Sequence, residues 1–247
     1  MKNNLVIYTP RTGSTVLTEI LSVSGNCTNY NEGIVDCCEG VDVDLFKEPL
    51  HKLIARYVIL NERHDFKPYH SEKQKRIDYL KRSNGWSIKE TSTPFLTNND
   101  FVKYCCNSEN VNVYMVYRRD LTAQLISFFN MVGRNKAIYT NNSDSTPERK
   151  IDDKIIYNKT NTLIQCLVYW RLLYELYKDK VTLVCYEDVI KPMDFTSLGI
   201  EKTVVERYNM MDNHMIPTPY NDFDQSNPKW LSVVDTIKSV EWITNTL

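Results

Sequence analysis

Short apolar runs and amphipathic stretches alternate along most of this chain. Leu5, Val6, Ile7 and Tyr8 form an unbroken apolar run that stops at Pro10, the pattern of a strand buried on both faces. Val16, Leu17, Ile20 and Leu21 follow at helical spacing, and Ser24-Gly25-Asn26 supplies a stop. Residues 27–30 predict a second strand, and residues 45–60 a helix with Leu50, Leu53, Ile54 and Tyr57 on one face. The highly charged stretch 64–83 reads as a solvated helix or loop, and 86–88 as a third strand. Residues 95–104 predict a helix, 111–117 a Val- and Tyr-rich strand, and 121–131 a further helix. Leu163, Leu167, Trp170, Tyr174 and Tyr177 recur at steps of four and three, the mark of an amphipathic helix. Residues 181–185 predict a last parallel strand and 230–243 a closing amphipathic helix. Strand and helix alternate almost throughout. The expected fold is therefore a single α/β domain, with a mainly parallel central sheet flanked by helices on both faces.

Composition narrows this picture rather than changing it. The 247 residues suit one α/β domain, and 42% hydrophobic with 25% charged residues is near the globular average. The formal charge of −1 excludes a general polyanion binder, so no nucleic-acid partner is expected. Any anionic ligand must be held by a local basic cluster. The seven cysteines include the adjacent pairs Cys37-Cys38 and Cys105-Cys106, without paired C-x-x-C spacing. They read as reduced thiols, and no metal site is expected. The apolar run before Pro10 is too short for a signal h-region or a membrane span. The expectation is a cytoplasmic protein with no membrane partner.

The turn after the first strand carries the first candidate chemistry. Pro10, Arg11, Thr12, Gly13, Ser14 and Thr15 lie between a buried strand and a helix, where open α/β sheets bind ligands. Gly13 allows close backbone approach, Ser14 and Thr15 offer hydroxyls, and the first helix amides are donors with a favourable dipole. Arg11 adds a charge suited to paired hydrogen bonds with oxyanion oxygens. An ordinary turn, with Ser14 as N-cap and Arg11 in solvent, fits the same residues. Neither the Walker A loop nor the three-glycine dinucleotide fingerprint is met, because no Lys follows Gly13 and Gly13 stands alone.

Two later segments have matching character. Tyr117-Arg118-Arg119-Asp120 follows the strongest strand, and Ser127 lies eight positions after Arg119, about two helical turns on. Such an Arg and Ser can grip one phosphate together, although surface arginines and a buried helix Ser would look alike. Tyr169-Trp170 then leads to Tyr186-Glu187-Asp188. The run from Tyr8 to Leu17 resembles the 5′-phosphosulfate loop of PAPS-dependent sulfotransferases. Arg119 with Ser127 is similar to that family's 3′-phosphate grip, and Tyr186-Glu187-Asp188 to its Tyr-Glu-Asp strand end. The three matches stand in the family's order from position 8 to 188, about three quarters of the chain.

The resemblance implies PAPS as donor, PAP as product, and a hydroxyl or amine of a small-molecule or glycan acceptor. It implies nucleotide contacts from residues 10–15, Arg119, Ser127 and Tyr186. Arg11 and Lys89 would stabilise the oxygens in transit. In the phenol- and steroid-sulfating branch the base is a His where this chain has Thr91. The branch that uses a Glu near the end of the second strand is the closer one, which makes Glu32 the candidate base and Glu90 the reserve. His51, His64, His70 and His214 read as surface or satisfied histidines. The family's C-terminal nucleotide loop has no clear counterpart; Lys229, at the start of the last predicted helix, is the candidate contact. The polar segment 133–157 reads as a substrate-side loop whose Asn, Ser and Thr would suit a sugar. The alternatives are a P-loop-like kinase and a nucleotide-binding protein with altered catalysis. Oligomeric state is left open.

Overall fold

The apolar run near the start becomes β1 (Asn3–Tyr8), buried at every position. It lies at the centre of a five-stranded sheet, in a computed structural model that describes residues 2–30, 67–91, 99–133, 153–211 and 228–245. The other strands are β2 (Thr28–Asn29), β3 (Trp86–Thr91), β4 (Val111–Tyr117) and β5 (Thr182–Cys185). Their order is β2-β3-β1-β4-β5 and every pairing is parallel. The helices are α1 (Ser14–Gly25), α2 (Lys67–Arg82), α3 (Asn99–Asn107), α4 (Leu121–Gly133), α5 (Asp153–Tyr177), α6 (Lys202–Asn209), α7 (Pro228–Lys238) and α8 (Trp242–Asn245).

Strand side chains alternate between faces, and the core divides accordingly. Leu5, Ile7, Ile88, Val113 and Met115 pack with Ile77 and Leu80 of α2, Phe101 and Val102 of α3, and Trp170 of α5. Val6, Tyr8, Tyr114, Val116 and Val184 pack on the opposite side with Val16, Leu17 and Ile20 of α1 and Tyr208 of α6. A third cluster joins α4, α5, α7 and α8 through Leu125, Phe129, Leu163, Leu167, Ile237 and Ile243. Each fully buried aliphatic side chain contributes roughly 1.5–3 kcal/mol of transfer free energy. The sheet with helices on both faces is the architecture that the alternating sequence pattern implies.

Side-chain amides also align the strand starts. The Asn3 carboxamide oxygen accepts the backbone amides of Gly85 and Trp86 at 2.6 and 3.2 Å. Asn112 donates to the Asn4 carboxamide oxygen at 3.2 Å. On the α1 face, the Tyr208 hydroxyl donates to the Glu19 carboxylate at 2.5 Å, pinning α6 to α1. Tyr208→Phe should cost about 1–2 kcal/mol, because it leaves a charged acceptor without this donor. Urea unfolding should show a lower midpoint at unchanged slope.

Several elements differ from the sequence expectation. The charged stretch before β3 is a helix, α2, with Arg76, Ile77 and Leu80 buried rather than solvated on all sides. β3 runs on past Ile88 to Thr91, because Lys89 and Glu90 are buried strand residues. The predicted closing helix is two helices, α7 and α8, separated at residues 239–241. Cys105 and Cys106 are buried free thiols, with burial pushing Cys106 up to about 11. The predicted helix 45–60, Cys37-Cys38, His51, His64, His214, Glu32 and most of the segment 133–157 lie outside the described residues.

Candidate functional site

The strand order fixes where a ligand crevice can open. From β1 the chain passes through α1 to β2 at one edge, whereas from β4 it passes through α4 and α5 to β5 at the other. β1 and β4 are neighbours whose connections leave in opposite directions, which separates the loops at their carboxyl ends. The turn 9–13 and the turn 118–120 follow these two strands at that end of the sheet.

The first turn is held in an unusual backbone conformation. Arg11 and Gly13 both have positive φ, 68° and 72°. For a non-glycine residue this costs roughly 1–2 kcal/mol, so Arg11 must be fixed by its surroundings. It is fixed at two points. Its Nε donates to Ser127 Oγ on α4 at 3.1 Å, and its carbonyl accepts Arg118 Nη1 at 3.4 Å. Beneath it, Thr12 Oγ1 donates to the Thr9 carbonyl at 2.9 Å. The amide of Gln124, fully buried on α4, donates to both Thr9 Oγ1 and the Pro10 carbonyl.

Gly13, not Ser14, is the N-cap of α1, and Ser14 is the buried first residue of the helix. The first intrahelical bond runs from the Leu17 amide to the Gly13 carbonyl. Helix geometry therefore leaves the first amides of α1 pointing out of its N-terminal end. With Arg11 and the Ser14 and Thr15 hydroxyls, the turn presents donors and positive charge, the set that suits an oxyanion.

The second turn is clamped by the chain that follows β5. There Tyr186-Glu187-Asp188 opens a π-helical turn, Tyr186–Ile190, rather than extending the strand. The Glu187 carboxylate accepts the Arg119 amide at 3.1 Å and the Asp120 amide at 3.4 Å, and its Oε1 lies 3.4 Å from Arg118 Nε. Burial acts to raise the Glu187 carboxyl, but the Arg119 amide, the Cys185 thiol and the Arg118 charge outweigh it and hold it below the usual range. Asp120 caps α4 by accepting the Ala123 amide at 2.8 Å.

Arg118 is the buried member of its pair, at 6% exposure, with its guanidinium 4.3 Å from the centre of the Tyr186 ring. Arg119 is half exposed and ion-paired with Asp188. Burial, reinforced by Glu187, raises the Tyr186 hydroxyl against the opposing charges of Arg118 and Arg11. The Tyr186 ring also covers Gly13, where an added Cβ would lie 3.1 Å from it and 2.7 Å from Ile190 Cγ2.

Arg11 and Ser127 are thus brought together, with Tyr186 packed on Gly13. The expected grip between Arg119 and Ser127 is arranged differently: Ser127 is taken by Arg11 and Arg119 by Asp188. Lys89 sits within β3 rather than at its end, with its Nζ 5.2 Å from the centre of the Tyr8 ring. Its register partner is Val6, on the α1 face, whereas Glu90 is paired with Ile7 and fully buried on the other face. Thr91 ends β3 beside Tyr8. Lys229 belongs to the first turn of α7. Among the described residues, no group of three or more His, Cys, Asp or Glu could hold a metal ion. No helix among them is long and apolar enough to cross a membrane.

Residue types in the sequence single out no role for Gln124, and they place Arg118 and Glu187 in the runs 117–120 and 186–188 without a role of their own. Gln124 carried a signal, since it interrupts the apolar stripe Leu121, Leu125, Phe128 on α4. Arg118 did too, because it continues the period-two face of Tyr114 and Val116 into the site. Glu187 stands in the Tyr186-Glu187-Asp188 run, but nothing in that run tells that its carboxylate turns to the chain after β4.

Fold and site together define a parallel α/β protein in which Arg11, Arg118, Ser127 and Glu187 come together at the carboxyl end of the sheet. No family model and no curated protein matches the chain. Among solved structures it is similar to the crystal structure of sulfotransferase STF1 from Mycobacterium tuberculosis H37Rv. The identity is 13% and the TM-score 0.47, over 96% of this chain and 75% of that one, a likeness from which nothing about function is drawn.

Proposed function

We propose that this chain is a sulfotransferase that moves the sulfuryl group of PAPS to a hydroxyl or amine of an acceptor, a glycan being the favoured class. One observation supports this reading above the others. The three segments that resemble sulfotransferase motifs are remote in sequence, yet they meet at one crevice through the Arg11–Ser127, Arg118–Arg11 and Arg118–Glu187 contacts and the packing of Tyr186 on Gly13.

In this reading the acceptor oxygen or nitrogen attacks sulfur, a new bond to sulfur forms, and the bond from sulfur to the 5′-phosphate oxygen breaks. The acceptor proton passes to the Glu32 carboxylate, and PAP leaves with the bonding electrons on its 5′-phosphate. Arg11 and the amides at the start of α1 lower the cost of the charge developing there. Arg119 exchanges Asp188 for the 3′-phosphate, and Tyr186 and Lys229 complete the nucleotide contacts.

Arg119→Ala should weaken PAP binding about 10-fold or more, the scale of one charge-assisted hydrogen bond. Titration calorimetry reads this directly. Incubation with sulfur-labelled PAPS and separate pools of glycans, phenols, sterols and amines tests the reaction itself. Label transferred to one pool is the expected result; label released only as inorganic sulfate, whatever the pool, would count against a transferase.

A further inference from the structure

Glu187 fastens the turn 118–120 to the chain that follows β5. Its carboxylate occupies the amides of Arg119 and Asp120 just outside α4, where a helix entrance would otherwise offer donors to an external anion. The same carboxylate neutralises buried Arg118, whose Nη1 reaches back to the Arg11 carbonyl. The Cys185 thiol supports it from below at 3.3 Å. A phosphate approaching α4 therefore cannot use those two amides and must be met by side chains. The direction in which the Arg119 side chain leaves the backbone is set by a turn that Glu187 holds.

We propose that Glu187 is the positioning residue behind the site's selectivity for a nucleotide with a 3′-phosphate: it presents Arg119 to that phosphate without touching the nucleotide itself. This inference rests on the PAPS reading above. Glu187→Gln leaves one acceptor oxygen for the two amides, sets an NH2 donor against the other amide, and leaves Arg118 without its anionic partner, so that the turn 118–120 relaxes. The 3′-phosphate then loses its aligned arginine, whereas the 5′ end, held by residues 10–15, keeps its contacts.

Selectivity is measured as the ratio of dissociation constants for 5′-AMP and 3′,5′-ADP (PAP), which differ only in the 3′-phosphate. Glu187→Gln should lower this ratio about 10-fold, through weaker PAP binding at nearly constant 5′-AMP binding. Tyr208→Phe, which loosens α6 from α1 away from the turn, should destabilise the chain and leave the ratio unchanged. A merely structural role for Glu187 would weaken both ligands together, and a ratio preserved in Glu187→Gln overturns the proposal. Should Glu187→Gln not fold, Glu187→Asp is read in its place; it keeps the charge but draws it back from the amides, and a smaller fall in the ratio is expected. Wild-type protein without any preference for PAP would remove the PAPS reading and this inference together. Preference in the wild type that survives in both Glu187 variants removes the inference alone.

Discussion

Gly13→Ala is expected to destabilise the protein by roughly 2–5 kcal/mol, a lowering of the melting temperature on the order of 5–15 °C. Two penalties add. Gly13 has φ 72°, a left-handed conformation that costs an L-residue roughly 1–2 kcal/mol. The new Cβ would also lie 2.7 Å from Ile190 Cγ2 and 3.1 Å from the Tyr186 ring, and overpacking of that kind costs about 1–3 kcal/mol. Gly199 separates the two terms. It has φ 73° but nothing within 4 Å of an added Cβ, so Gly199→Ala should show the backbone penalty alone. Thermal denaturation of the two variants side by side measures the difference. Equal losses would mean that the packing of Tyr186 and Ile190 on Gly13 contributes nothing. The functional consequence follows from the same contact, because the turn displaced by the Cβ is the one that carries Glu187.

The second large effect concerns rate. Glu32→Ala should leave PAP affinity within about twofold of the wild type and lower the rate of sulfuryl transfer by about 10²–10⁴, the usual contribution of a positioned general base. Single-turnover transfer from labelled PAPS, with affinity measured on the same preparation, keeps the two quantities apart. Normal turnover in Glu32→Ala would assign the proton to another group. Glu90 is poorly placed for that part, since its register with Ile7 puts it on the sheet face opposite α1.

The sequence was most legible where burial is symmetrical. β1 and β4 are covered on both faces, so their apolar runs read as strands without help from neighbours. The far end of β3 is hard to read in the sequence because its last residues, Lys89, Glu90 and Thr91, are polar. They are strand residues all the same, paired with Val6, Ile7 and Tyr8 at the carboxyl end of the sheet. α6 is short and mostly polar, and only Val204, Val205 and Tyr208 turn toward the core, too few positions to stand out as a helical stripe. The anion turn could be located from Gly13 and its place after a strand, but not its conformation. Arg11 adopts positive φ because Ser127 and Arg118, more than a hundred residues away, hold it there. The roles of the two adjacent arginines were likewise a tertiary matter. Only with Tyr186 and Glu187 in place does Arg118 become the buried one and Arg119 the one facing outward.

The central claim is that the crevice between β1 and β4 takes a 3′-phosphorylated adenosine nucleotide. Thermal shift of the wild-type chain with PAP, set against ATP with Mg²⁺, tests it most directly. At about 100 times the dissociation constant, PAP should add about 2.7 kcal/mol, raising the melting temperature by roughly 5–10 °C. ATP with Mg²⁺ should raise it far less, because Ser14 stands where a Walker loop would place its lysine. Stabilisation by ATP with Mg²⁺ and none by PAP would contradict the claim.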